Sequence, residues 1–157
     1  MIRDKKGSIS WLAEDTLKIV LAILVVIVLV WVLTEIYYSR INSEKLKQAK
    51  SILIDSPQSI KLEIQSLAND ENTDFHLQSP QSWYLFSFTH EKKPNSCLNQ
   101  NCMCICDNVI DISDRQIKEC DKSGVCLKVG NLIGFEEIKI DKQFIKIENI
   151  EWRIIIR

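Results

Sequence analysis

Residues 19–33 read IVLAILVVIVLVWVL, fifteen apolar residues without a charge, a Pro or a Gly. Leu12 and Leu17 precede the run, Thr34 and Ile36 extend it, and Tyr37 and Tyr38 stand where an interfacial aromatic belt lies. A bilayer core about 30 Å thick needs roughly 20 helical residues. The run reaches that length when Lys18 and Glu35 stretch toward opposite interfaces. A buried core helix would share the pattern. It would also need a protein shell that 157 residues with one such run do not supply. The chain therefore reads as a single-pass membrane protein. It divides into a basic leader (1–7), a transmembrane helix (8–38), an amphipathic helical stalk (39–56) and a Cys-rich domain (57–157).

Composition narrows the function classes. The net charge is −1, and basic residues are spread along the chain, so there is no electrostatic case for nucleic acid. Four Gly and three Pro are too few for a low-complexity linker or a disordered ectodomain. The unusual count is six Cys, all between Cys97 and Cys126.

The leader ends in Lys5-Lys6-Gly7, directly before Ser8-Ile9-Ser10 and the apolar helix. No A-x-A-like cleavage site follows the apolar run, so the span is expected to stay in the mature protein. The Lys-Lys-Gly-Ser-Ile-Ser order resembles the class III signal of archaeal type IV pilin-like proteins. The resemblance covers about the first 35 residues. It implies cleavage between Gly7 and Ser8, with the hydrophobic helix surviving to associate with pilin-like partners. Where that family commonly carries Glu, five residues into the mature chain, this chain has Leu12, with Glu14 and Asp15 following. The other reading of the same segment is an uncleaved signal anchor. Charge does not orient the span: Arg3, Lys5, Lys6 and Lys18 flank one side, Arg40, Lys45, Lys47 and Lys50 the other.

Beyond the span, residues 38–54 lack Pro and Gly and place Leu46, Ala49 and Leu53 on one face, with Ile41 and Ile52 beside it. The spacing predicts one helix from Ser8 to Ile54, about 70 Å long at 1.5 Å per residue. Ser56-Pro57 ends it, because the residue before Pro is pushed away from the α region. The same pair fits the cap and first position of a second helix. Ile60, Ile64 and Leu67 favour that helix, although Ile60, Leu62 and Ile64 also alternate as in a strand. Asn69-Asp70-Glu71-Asn72 reads as a loop.

Residues 83–88, WYLFSF, read as a strand bounded by Pro80 and Pro94. Residues 135–157 carry the strongest β signal. Ile138 and Ile140 alternate with charges, Asp141-Lys142 suggests a turn, and Ile150, Trp152, Ile154 and Ile156 share one face after a break near Asn149. An antiparallel sheet with one apolar face needs cover, and the stalk helix is the available partner. The expected class is α+β, a long N-terminal helix on a small antiparallel β-sheet with a Cys-rich loop region.

If Cys102, Cys104 and Cys106 lie on an extended segment, their sulfurs share one face. Cys97, Cys120 and Cys126 are then three partners for three cysteines. Six Cys permit 15 pairings, and sequence does not choose among them. Disulfides would staple a domain whose own core is thin, and they would place it on the oxidising, extracytoplasmic side of the cell membrane. The competing chemistry is zinc held by four thiolates among Cys102, Cys104, Cys106, Cys120 and Cys126. The usual pair of C-x2-C or C-x4-C knuckles is missing, as are the iron–sulfur and haem motifs. No cofactor is therefore expected. His76 and His90 sit in polar, loop-like stretches and read as solvated. Asp107, Asp111 and Asp114 form an acidic patch that is more simply a solvated loop than a cation site. Without a catalytic motif, the expectation is a structural or binding protein and not an enzyme.

Overall fold

The computed structural model describes residues 8–107, 114–135 and 137–157. The leader through Gly7 and the Asp111 end of the acidic patch lie outside them. The chain forms two compact units, one ending at Ile41 and the other running Asn42–Arg157.

Helix α1 spans Ser8–Lys50, 43 residues with no Pro or Gly, or about 65 Å of rise. Its last turn widens into a π turn, Ser51–Asp55, before the chain breaks. The Ser56 N–H donates to the Ser51 carbonyl at 2.9 Å, and Ser56 itself is extended, as its neighbour Pro57 demands. The expected end near Ile54 is thus where the helix stops. The packed face differs in one member. Ala49 and Leu53 are fully buried, while Leu46 remains 37% exposed.

Ser56-Pro57 does not cap the second helix. Ser56 instead shapes a turn, accepting the Gln58 N–H on its Oγ and the Ser59 N–H on its carbonyl. Helix α2, Ile60–Ser66, starts after Ser59, which decides Ile60, Ile64 and Leu67 in favour of a helix. The reason is packing: Ile60 is completely buried and Ile64 partly so, on one side of a single helical turn.

The strands are β1 Glu71–Leu77, β2 Tyr84–Phe88, β3 Cys102–Cys106, β4 Val125–Lys128, β5 Ile138–Lys139, β6 Gln143–Ile150 and β7 Arg153–Ile156. They form two antiparallel sheets where one was expected. One has the order β1-β6-β7 and the other β4-β3-β2-β5. Asp141-Lys142 is the bend at which the chain leaves the second sheet for the first. Strand β1 starts inside the expected loop 69–72, because pairing with β6, Phe75 opposite Ile145, gives a weakly apolar segment a partner. Its His76 is consequently a strand residue, with its ring stacked on Phe144 at 4.4 Å.

The break expected near Asn149 lies at Glu151-Trp152. Both residues have positive φ and close a two-residue hairpin between Ile150 and Arg153. That shift of two residues moves the apolar register. Ile145, Ile147, Ile154 and Ile156 point inward together with Asn149, whereas Ile150 and Trp152 are exposed. Asn149 tolerates the core because its Nδ2 donates to the Leu67 carbonyl at 3.2 Å, tying α2 to the sheet.

The main core lies between the sheets. Phe75, Leu77, Ile145, Ile147, Ile154 and Ile156 from one meet Leu85, Met103, Ile105 and Leu127 from the other, with Ala49, Leu53, Ile60, Trp83 and Ile140 closing it. Because side chains alternate along a strand, the opposite face of the second sheet carries Tyr84, Phe86 and Phe88 on β2, Cys102, Cys104 and Cys106 on β3, and Cys126 on β4. Helix α3, Asp114–Ser123, packs over β3 and contributes Cys120 to that face. Every residue of β3 is therefore buried. The α+β class expected from the sequence stands, cysteine cluster included, with three of the six cysteines carried by the central strand β3.

Candidate functional site: the disulfide face and the apolar helix

Three disulfides use all six cysteines, and each cysteine of β3 takes one partner from elsewhere. Cys97–Cys102 has a Cα separation of 5.8 Å, Cys104–Cys126 4.1 Å, and Cys106–Cys120 5.2 Å. The geometry follows from register. Cys104 lies directly opposite Cys126 across the β3–β4 ladder, with Phe86 opposite Cys104 on its other side. Cys97 arrives on a 3-10 turn, Asn95–Cys97, and Cys120 on α3.

Three groups outside the cysteines hold this face in place. Gln116, one helical turn before Cys120, donates from Nε2 to the Asp107 carbonyl at 2.7 Å and lies 3.5 Å from the sulfurs of both Cys106 and Cys120. Gly124 ends α3 with its N–H on the Cys120 carbonyl, where the backbone passes hard against Cys106. Asp121 fastens α3 to the Cys97 turn. Its carboxylate accepts the backbone N–H groups of Asn95 and Ser96 at 2.9 and 3.0 Å, and also their side chains. None of the three carries a motif. Their spacing from the nearest cysteine (four, two and one residues) was the signal available in the sequence.

Partial burial pushes the Asp121 carboxyl up, but the hydrogen bonds from Asn95 and Ser96 outweigh it and hold the group below its usual range. Its folded pKa is thus depressed. The stability it contributes is complete above the unfolded value near 3.8 and is lost as pH falls through the folded one. In urea unfolding, the gap between wild type and Asp121→Asn should be widest at neutral pH and should close as pH falls from the unfolded value through the depressed folded one. A gap independent of pH would show that the carboxylate's charge is not what fastens the turn.

The disulfide face has one further feature. The sulfurs of Cys97, Cys104 and Cys126 all lie within 4.8 Å of one another, and Cys97 Sγ is 3.9 Å from Cys104 Sγ. The alternative zinc set named from sequence is regrouped by this arrangement. Cys104 and Cys126 fall beside Cys97, while Cys106 and Cys120 pair with each other. His90 is exposed beyond β2, and His76 meets Gln78 Nε2 at 2.8 Å, so neither joins the sulfurs. Asp107 is exposed at the end of β3.

In α1, none of the most apolar window is buried by protein, and the side chains of residues 19–33 are exposed on every side of the helix. A core helix of a soluble domain would be covered. An uncovered helix apolar all round is long and apolar enough to cross a bilayer. Tyr37 and Tyr38 meet edge to face at 6.0 Å at its aromatic end.

No family model matches the chain, and neither does any curated protein or solved structure.

Proposed function

We propose that this chain is a single-pass, membrane-anchored surface protein whose disulfide-stapled domain faces the extracytoplasmic side, serving as a pilin-like structural or binding subunit. One observation carries the reading: an uncovered apolar helix of spanning length belongs to a chain whose six cysteines pair completely. Disulfides persist on the oxidising side of a membrane, and a span that fixes one end leaves the domain there. The helix anchors and associates laterally with copies of itself or with pilin-like partners. The two-sheet domain meets solvent and binding partners, without catalysis. On this reading a membrane peptidase cuts between Gly7 and Ser8.

A second reading rests on the three neighbouring sulfurs. With the domain in the reducing cytosol, Cys97, Cys104 and Cys126 would be thiolates close enough to share a zinc ion. The domain would then be an interaction module.

Intact mass of the protein, purified from its native membrane without reductant, separates the two. The first reading expects a chain lacking residues 1–7 and lighter by two hydrogens for each of three disulfides. A full-length chain with six alkylatable thiols would overturn it and favour the second.

A further inference from the structure

Two of the three disulfides lie side by side. Cys97 Sγ stands 3.9 Å from Cys104 Sγ, and the sulfurs of Cys97, Cys104 and Cys126 are all within 4.8 Å of one another. The bonds Cys97–Cys102 and Cys104–Cys126 therefore form one sulfur cluster. Cys106–Cys120 lies outside it, closed over by α3 with Gln116 and Gly124 against its two ends.

Exposure within the cluster is uneven. Cys97, Cys102 and Cys104 are fully buried, whereas Cys126 is half-buried. The sheet order explains the difference. Cys104 sits on β3 between two neighbouring strands, and Cys126 on β4 at the edge of the sheet. A thiolate opens a disulfide by bonding to one sulfur and expelling the other, through a mixed disulfide. For Cys104–Cys126, a thiol arriving from solvent meets Cys126 and expels Cys104. The Cys97 turn and α3 both border β4, so that thiol has to be small.

We propose that Cys126 is the entry point of a thiol–disulfide exchange site, which takes up a low-molecular-weight thiol and moves the protein's own bond from Cys104–Cys126 to Cys97–Cys104. In the first step the incoming thiolate bonds to Cys126 Sγ, the Cys104–Cys126 bond breaks, and its electron pair leaves on Cys104 Sγ. In the second, the Cys104 thiolate bonds to Cys97 Sγ, the nearest disulfide sulfur left to it, and the electron pair of the Cys97–Cys102 bond leaves on Cys102 Sγ, which takes a proton from water. One thiol is consumed and one is formed, and the number of disulfides is unchanged. The free sulfur is thereby moved from the middle of β3, beside Phe86, to the start of the strand, where Gln100 and Asn101 reach solvent. With Cys104 tied to Cys97, it no longer returns to Cys126, and the small thiol stays attached.

The inference rests on the disulfide pairing of the reading above, and the test separates the two. Full-length protein in detergent, free of reductant, is treated with glutathione, quenched in acid, denatured, alkylated and mapped by mass spectrometry without reduction. Glutathione should be found on Cys126, with a Cys97–Cys104 bond, an intact Cys106–Cys120 bond, and alkylation at least about threefold greater at Cys102 than at Cys104. Cys97→Ala combined with Cys102→Ala removes the acceptor bond while keeping the other two. The Cys104 thiolate then returns to Cys126, and the glutathione adduct should fall at least about threefold. Alkylated Cys104 with Cys97–Cys102 intact would overturn the proposal. So would glutathione attached first at Cys106 or Cys120, no adduct at all, or an undiminished adduct in the double variant. Six alkylatable thiols before glutathione is added would instead overturn the disulfide pairing itself, and the exchange site with it.

Discussion

Cys104→Ala combined with Cys126→Ala should cost the domain about 3 kcal/mol of unfolding free energy, by the loop-entropy relation for a bond spanning 22 residues. The measurement is urea unfolding of the full chain in detergent, followed by near-ultraviolet circular dichroism, which reports the aromatics beside the sulfurs. This bond joins directly opposed residues of β3 and β4, so it also pins the edge strand β4 to its neighbour. The same relation gives about 3 kcal/mol for Cys106–Cys120, which spans 14 residues, and about 2 kcal/mol for Cys97–Cys102, which spans 5. Loss of the paired sulfurs also leaves space among fully packed neighbours, which adds to the loss. A change below about 1 kcal/mol would mean that the staple does not hold this sheet together. Removing Cys104 alone is a poorer experiment. The freed Cys126 thiol lies close to Cys97 and can attack the Cys97–Cys102 bond.

Gly124→Ala should be comparably damaging, for a reason unconnected with glycine's flexibility. A Cβ at this position would stand 2.7 Å from the Cys120 carbonyl oxygen, 2.9 Å from the Cys120 Cα and 2.8 Å from the Cys106 Cβ. Two of these atoms are backbone and the third carries a disulfide, so none can swing aside. The end of α3 must move away from β3. We expect a loss of about 2–4 kcal/mol, in the range of severe overpacking, and incomplete closure of Cys106–Cys120. Peptide mapping without reductant reads the second effect directly, as alkylated Cys106 and Cys120 with the other two bonds intact. Gly130→Ala is the control, since a Cβ there meets nothing within 4 Å. Equal stability of Gly124→Ala and Gly130→Ala would show that α3 does not sit against β3 as described.

Much of the architecture is legible in local pattern. The apolar run 19–33, the stop at Ser56-Pro57, the strand over 84–88 and the β-rich C-terminus depend on composition, periodicity and the geometry of proline, all short-range properties. What was illegible depended on partners distant in sequence. Strand β1 has too few apolar residues to declare itself and exists because β6 lies beside it. Helix α3 is polar and ten residues long, and its inward face is little more than Gln116 and Cys120, so it is held by what it touches rather than by its own periodicity. Seen alone, the alternation of Ile150, Trp152, Ile154 and Ile156 implied one continuous face. The hairpin at Glu151-Trp152 breaks it, reversing the chain and leaving Trp152 outside.

The cysteines show the same division. Their sequence alone determined that Cys102, Cys104 and Cys106 would share one face if extended, since side chains on a strand repeat every two residues. It also determined that a fifteen-residue apolar run would need a solvent other than water. It left fifteen pairings open. Tertiary structure chose one of them, through three separate placements: the β3–β4 register set Cys126 opposite Cys104, α3 carried Cys120 to Cys106, and the turn fastened by Asp121 brought Cys97 to Cys102. A disulfide needs two Cβ atoms within a few ångströms, and that distance is a property of the folded chain, which no spacing along the sequence encodes.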